Sequence, residues 1–327
     1  MHPAFSVIFL TTLIGVGQGL FLALFTAQLY RLTGLLEHDP GTLFYQYGSL
    51  LALCFLALGL FSSVFHLGRP ERAWRTASRW RSSWLSREVI ALPLTMVTIA
   101  LYALLHYLGL TQPLITIGED FSLDPTLIAG TVATVMVFSL FICTSMIYAA
   151  VRFIQQWHTP LTVLNFTLFG IASGFMVAAL LAAWMENGLV SFFGGWAVVA
   201  TTLALFGRSA ALYRNHKLRG KSSLQSAIGV RHTIVTQKAM GFVGDSFNTR
   251  EFFHHRSPRT VTAVRNGFLL LLFPLPLLLL TPSLVGGGSL ELLLAAFGSQ
   301  YLGLLAERWY FFAEAKHPQN LYYQTRS

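Results

Sequence analysis

The sequence predicts an all-α, polytopic membrane protein: one integral domain over residues 1–327, built as a bundle of eight transmembrane helices with both termini cytoplasmic. Three observations predict it. Of 327 residues, 54% are hydrophobic and only 11% charged, and the mean hydropathy is +0.59, whereas a soluble domain carries about 25% charge. Eight apolar runs each approach the roughly 20 residues that cross a bilayer as a helix. The few charges are unevenly placed: 22 Lys and Arg against 13 Asp and Glu leave a net charge of +9.

The runs lie at roughly 5–30, 44–66, 87–109, 126–151, 160–184, 189–213, 262–282 and 285–313. The first has no basic segment ahead of it and runs into Arg31 without a small-residue cleavage site, so it reads as a retained span rather than a signal peptide. Within it Gly15 and Gly19 flank Gln18, a spacing that predicts a close helix contact. The second run closes at His66, where Gly68 and Pro70 stop the helix, and the third opens at Glu88. Between them Trp74, Trp80 and Trp84 alternate with arginines, a composition that suits the lipid interface. The long polar stretch 214–261 is a basic loop containing Phe242, Phe247, Phe252 and Phe253. Pro274 and Pro276 could break the seventh run, which has no charged or amide side chain beyond Asn266. Glu307 and Arg308, near the end of the last run, predict a structural ion pair that locks that helix. Cys54 and Cys143 sit in apolar runs and read as small packing residues; two cysteines build neither a zinc site nor an iron–sulfur cluster.

The charges test the count. With eight spans, every Lys and Arg except Arg31 falls on the side of the termini, and Glu37, Asp39, Glu119, Asp120, Asp124 and Glu186 fall opposite. A missed or invented span would scramble this division. Cations mark the cytoplasmic side, which predicts that both termini and the basic loops are cytoplasmic.

Ionisable groups near the hydrocarbon are functional candidates because they are costly there. His66 and Glu88 both stand at the cytoplasmic boundary. A quinone that takes two electrons also takes two protons, and an imidazole beside a partly desolvated carboxyl can exchange them. One turn back from His66 lie Ser62, Ser63 and Gly59, which predict room for a flat ring. The same two residues have plainer readings: His66 as a cap at a helix C-terminus, and Glu88 as a first-turn carboxylate beside Arg87. A bundle haem needs two histidines facing each other; only His66 and His106 lie near the spans, at opposite ends, which argues against haem. Phosphate loops, dinucleotide fingerprints and nucleophile elbows are absent from the sequence. Nothing in it points to nucleic acid.

The segments FHLGRPERAWRTASRWRSSWLSRE at 65–88, QKAMGFVGDSFNTREFFHH at 237–255 and ERWYFFAEAKHPQNLYY at 307–323, with the opening HPAFSVIFLTTLIGVGQGL, resemble the membrane anchor subunits of the dimethyl sulfoxide reductase family. The likeness is strongest to the anchors of cytoplasmic sulfite dehydrogenases. The resemblance implies a three-subunit oxidoreductase, in which a molybdopterin subunit acts on the substrate and an iron–sulfur subunit delivers electrons to the anchor. Quinone, ubiquinone or menaquinone, is then the anchor's exchangeable substrate, and haem, iron–sulfur cluster and molybdenum are all absent from this chain. The family's quinone-site histidine and glutamate fall on His66 and Glu88, with Arg69, Arg72 and Arg87 as neighbouring donors and Ser62 close by.

On this reading the basic loops dock the iron–sulfur subunit on the cytoplasmic face, and electrons and protons reach quinone from one side without generating a membrane potential. The long loop argues for docking, since loops of that length usually have a function; contact with anionic lipid is the simpler reading of its charge. A quinol-oxidising anchor of an S- or N-oxide reductase fits the same features. A secondary transporter would need a broken helix near the midplane and a polar pathway, and a purely structural anchor would lack a quinone site.

Overall fold

The computed structural model describes residues 1–36, 40–65, 67–117, 121–218, 220, 223–238, 251–285 and 289–322. The long helices are α1 (Phe5–Leu32), α2 (Thr42–Val64), α3 (Trp84–Tyr107), α4 (Pro125–Ala149), α5 (Pro160–Trp184) and α6 (Val190–Lys217). They are followed by a short α7 (Leu224–Ile228), then α8 (Pro258–Leu272), α9 (Pro274–Leu284) and α10 (Leu290–Ala313). Two 3-10 helices, Pro70–Arg79 and Pro318–Tyr322, complete the helical elements among the described residues. Strands β1 (Ile115–Ile117) and β2 (Phe121–Leu123) form a small antiparallel ribbon between α3 and α4, with Ile115 opposite Leu123. The all-helical expectation therefore holds for the bundle but not for this connection.

The helices start where local chemistry favours a start. The oxygen of Asp124 accepts from the Leu127 amide at 2.8 Å, and those of Thr159, Ser257 and Ser289 cap α5, α8 and α10 in the same way. Pro125, Pro160 and Pro258 follow their caps at the first helical position, where a missing N–H costs nothing.

Among the described residues, seven stretches are long and apolar enough to cross a membrane, with Pro258–Leu284 taken as one. The 24-residue α10, which carries Glu291, Glu307 and Arg308, is not among those seven. The seventh stretch is not one straight helix. It breaks at Phe273, whose φ and ψ of −122° and −77° are not helical. Pro274 and Pro276 remove two amides from the ladder, and the ring of each opposes a straight continuation. Ser299 of α10 donates to the Leu271 carbonyl at 2.9 Å, satisfying a backbone group near the break.

Helices α1 and α5 form the centre, packing on each other and on α2, α4 and α6. Their contact explains Gly15 and Gly19. A Cβ on Gly19 would stand 1.8 Å from the Gly170 carbonyl oxygen, and one on Gly174 would stand 1.9 Å from the Gly19 carbonyl carbon. Small residues at this crossing let two backbones touch, which is how helices gain contact where lipid supplies no hydrophobic drive. Gln18, between the two glycines, donates to the Val137 carbonyl at 3.0 Å and ties α1 to α4.

The loop before α8 also packs inward. Phe252 and Phe253 are buried, and Phe252 joins Trp157, Phe166, Phe311 and Phe312 in an aromatic cluster at the basic end of the bundle. These two rings therefore serve the fold rather than an outer docking surface; Phe242 and Phe247 lie outside the described residues.

Candidate functional site

The N-terminal end of α3 carries the candidate carboxyl. Ser83 caps the helix, accepting from the Ser86 amide at 3.4 Å, and Glu88 follows on the second turn. Glu88 is only 6% exposed. Across the α3–α4 contact the Thr144 hydroxyl donates to its Oε1 at 2.7 Å. A buried carboxyl needs hydrogen-bond partners, and the long contact between α3 and α4 supplies this one.

Arg87, one residue earlier, points away from that contact because successive helical residues turn by about 100°. Its Nε donates to the Trp80 carbonyl at 2.8 Å and its Nη2 to the Arg81 carbonyl at 2.9 Å. Its guanidinium lies 4.1 Å over the Trp84 ring. Arg87 therefore fastens the turn after the first 3-10 helix onto the start of α3, and its donors are engaged by backbone.

The remaining expected residues are less tightly organised. Arg69 and Arg72 are exposed, and Arg72 reaches only Glu71, at 3.8 Å, where solvent weakens the pair. The Ser62 hydroxyl donates to the Leu58 carbonyl of its own helix at 2.9 Å, and Ser63 to Leu60 at 2.6 Å. Gly59 makes room for α1 rather than for a ring, since a Cβ there would meet Ile14 Cγ1 at 2.7 Å. His66 lies outside the described residues. Around this end the exposed Trp74 and Trp80 are each overlain by an arginine, Arg75 and Arg81, at 5.5 and 5.4 Å.

A second charged site contains the expected Glu307–Arg308 pair and adds a third member, Arg208. Glu307 Oε1 is 2.9 Å from Arg208 Nε of α6, closer than the 3.4 Å between Glu307 Oε2 and Arg308 Nε. All three side chains are buried. Arg308 also lies 3.6 Å over the Phe166 ring of α5, so the cluster joins three helices. Arg208 is thus an interior residue of α6. A cation inside an apolar helix was the available signal for it; Thr144 had none, because an intrahelical threonine hydroxyl is unremarkable in a sequence.

Residues 1–285 match the family described as DMSO reductase anchor subunit (DmsC). A sulfite dehydrogenase subunit of Allochromatium vinosum is 55% identical over 326 residues, covering 99% of both chains. The chain belongs to the DMSO reductase anchor subunit family. An anchor of this family is a membrane protein by role, which agrees with the apolar helices. In this anchor the two sites differ in character: Glu88 is a buried carboxyl beside an exposed, arginine-rich turn, whereas the Arg208–Glu307–Arg308 cluster is buried between helices.

Proposed function

We propose that this anchor is the quinone-reactive subunit of a three-subunit molybdopterin and iron–sulfur oxidoreductase, passing electrons from cytoplasmic sulfite oxidation to the quinone pool. The relationship to a sulfite dehydrogenase subunit over the full length supports the complex. The observation that carries the quinone reading is Glu88, a buried carboxyl with a hydroxyl partner at the end of α3. In this reading α10 is the eighth span, both termini and the basic loops face the cytoplasm, and the chain lies in a bacterial inner membrane.

The iron–sulfur subunit docks on the basic face, and quinone enters near the ends of α2 and α3. Each quinone molecule receives two electrons from the docked subunit and two protons from the chain. Glu88 and His66 deliver those protons from the cytoplasmic side, with Thr144 orienting the Glu88 carboxyl. Arg69 and Arg72 remain available as donors to a quinone carbonyl, and Arg87 acts by holding the turn. Electrons and protons arriving on one side leave no net charge moved across the membrane.

The test is to replace His66 and Glu88 singly, as His66→Ala and Glu88→Gln, in the assembled complex. Quinone reduction is expected to fall to background while sulfite oxidation with an artificial dye is retained. Unchanged quinone kinetics in both variants would refute the assignment. A second reading, a quinol-oxidising anchor for an S- or N-oxide reductase, is favoured by the family match itself. It predicts quinol-dependent reduction of such an oxide and no sulfite-dependent quinone reduction.

A further inference from the structure

The segment that joins α2 to α3, residues 65–83, is held at both ends by helices long and apolar enough to cross a membrane. Its 10-residue 3-10 helix, Pro70–Arg79, is about 20 Å long and packs on α3. In a membrane anchor this segment therefore lies at the level of the lipid headgroups.

Three residues per turn sort its side chains into rows. Arg72, Arg75 and Ser78 stand in one row, and Glu71, Trp74 and Ala77 in the next. Trp80, at helical φ and ψ of −57° and −27°, continues the second row. Ala73, Thr76 and Ala77 are half-buried, whereas Arg72, Arg75, Arg79 and Arg81 are exposed. Trp74 and Trp80 are 71% and 52% exposed. The small side chains face the protein, and the arginines and indole rings face away from it.

Those arginines lack counter-charge. Arg72 has Glu71 at 3.8 Å, and among the described residues no carboxylate pairs with Arg75, Arg79 or Arg81. Arg75 lies 5.5 Å over Trp74, and Arg81 5.4 Å over Trp80. A guanidinium resting against a ring still presents its N–H donors in the fork that fits a phosphate. Arg87 differs, since backbone carbonyls already take its donors. The exposed Phe61 and Phe65 around the end of α2, and Leu85 at the start of α3, add apolar surface to this end of the two helices.

A matching ligand brings phosphate oxygens and apolar substance together at the depth of the interface. A phospholipid does both: indole rings favour the boundary between headgroup and chain, and basic side chains favour anionic headgroups. A zwitterionic headgroup would set an ammonium against the arginine row, so net negative charge is selected. An acidic protein surface would meet the cations but not the bare indoles.

We propose that the face formed by Trp74, Arg75, Arg79, Trp80 and Arg81 binds the phosphate of an anionic phospholipid. The arginines hold the headgroup, and the two indoles lie against its glycerol and upper acyl region. The bound lipid fixes the connection between α2 and α3 to the membrane surface. The proposal rests on the chain being a membrane anchor and not on the quinone reading.

The test reconstitutes the full-length protein in phosphatidylcholine vesicles containing increasing amounts of brominated phosphatidylglycerol or brominated phosphatidylcholine, and reads tryptophan fluorescence. Bromine quenches nearby indoles, so a preferred lipid quenches at a lower mole fraction. Brominated phosphatidylglycerol is expected to act at a several-fold lower mole fraction than brominated phosphatidylcholine. Arg75→Gln, Arg79→Gln and Arg81→Gln should each narrow that preference, by up to about five-fold, and together abolish it. Trp74→Phe with Trp80→Phe should remove the selectively quenched component, which locates the site without touching the arginines. Identical curves for the two lipids in the unsubstituted protein overturn the proposal, as does a preference that survives the triple arginine substitution. Loss of an iron–sulfur partner from the triple variant with an unchanged lipid preference would assign the face to an acidic protein and likewise overturn it.

Discussion

Thr144 and Glu88 meet across the α3–α4 contact, with the hydroxyl donating at 2.7 Å to a carboxyl that is almost fully enclosed. The bond joins residues 56 apart in sequence. It turns a carboxyl on one helix into a group whose position depends on two.

Thr144→Val keeps the shape of the contact and removes the donor. A hydrogen bond to a charged group contributes about 1.5–3 kcal/mol, so quinone turnover should fall roughly ten- to a hundred-fold. Dye-linked sulfite oxidation and membrane assembly should be unchanged. Loss of both activities together would instead show that Thr144 supports the fold.

The α1–α5 crossing makes a separate demand. Gly19→Ala would place a methyl 1.8 Å from the Gly170 carbonyl oxygen, a distance that no side-chain rearrangement relieves. The helices must part, and overpacking of this kind typically costs about 1–3 kcal/mol, occasionally more. Reduced yield of folded protein in the membrane and a lower Tm are expected, whereas Gly298→Ala, with no atom within 4 Å of the added Cβ, should be tolerated. Equal Tm for the two variants would contradict the close crossing.

Acid should loosen the segment that precedes α8. The His317 ring lies tilted against Phe252, with centroids 4.3 Å apart, and edge-on to Phe153 at 5.0 Å, and Asn320 donates to the Phe252 carbonyl at 3.2 Å. Burial holds the His317 imidazole below the ordinary histidine range. His254, on the same segment, is lowered first by burial and then by neighbouring positive groups. Because the docked form favours the neutral rings, docking is fully present above the ordinary value of 6.5 and weakens as pH falls through the lowered folded values. Protection of the amides at residues 251–257 from hydrogen exchange should therefore fall as the pH drops below the ordinary histidine value of 6.5. His317→Gln should flatten that profile; an unaltered profile in the variant would remove His317 from the account.

The apolar runs were legible because a span depends on composition within one segment: lipid requires each helix to satisfy its own backbone, whatever its neighbours do. For the same reason the caps at Asp124, Thr159, Ser257 and Ser289 are local events, and their start signals precede the helices they begin. Gly15 and Gly19 announced a close contact through their spacing, although not that Gly170 would be opposite. Glu88 stood out because carboxyls are rare near hydrocarbon.

What the sequence by itself determined is therefore the membrane class, the position of the apolar helices and the short set of ionisable residues placed near their ends. Only the tertiary structure decided which of these are partnered. It joined Thr144 to Glu88 and Arg208 to Glu307, turned Gly59 toward α1, and interrupted the seventh stretch at Phe273. The physical reason is that hydropathy adds up along a chain, whereas a hydrogen bond or an ion pair exists only when packing brings two distant turns within about 3 Å.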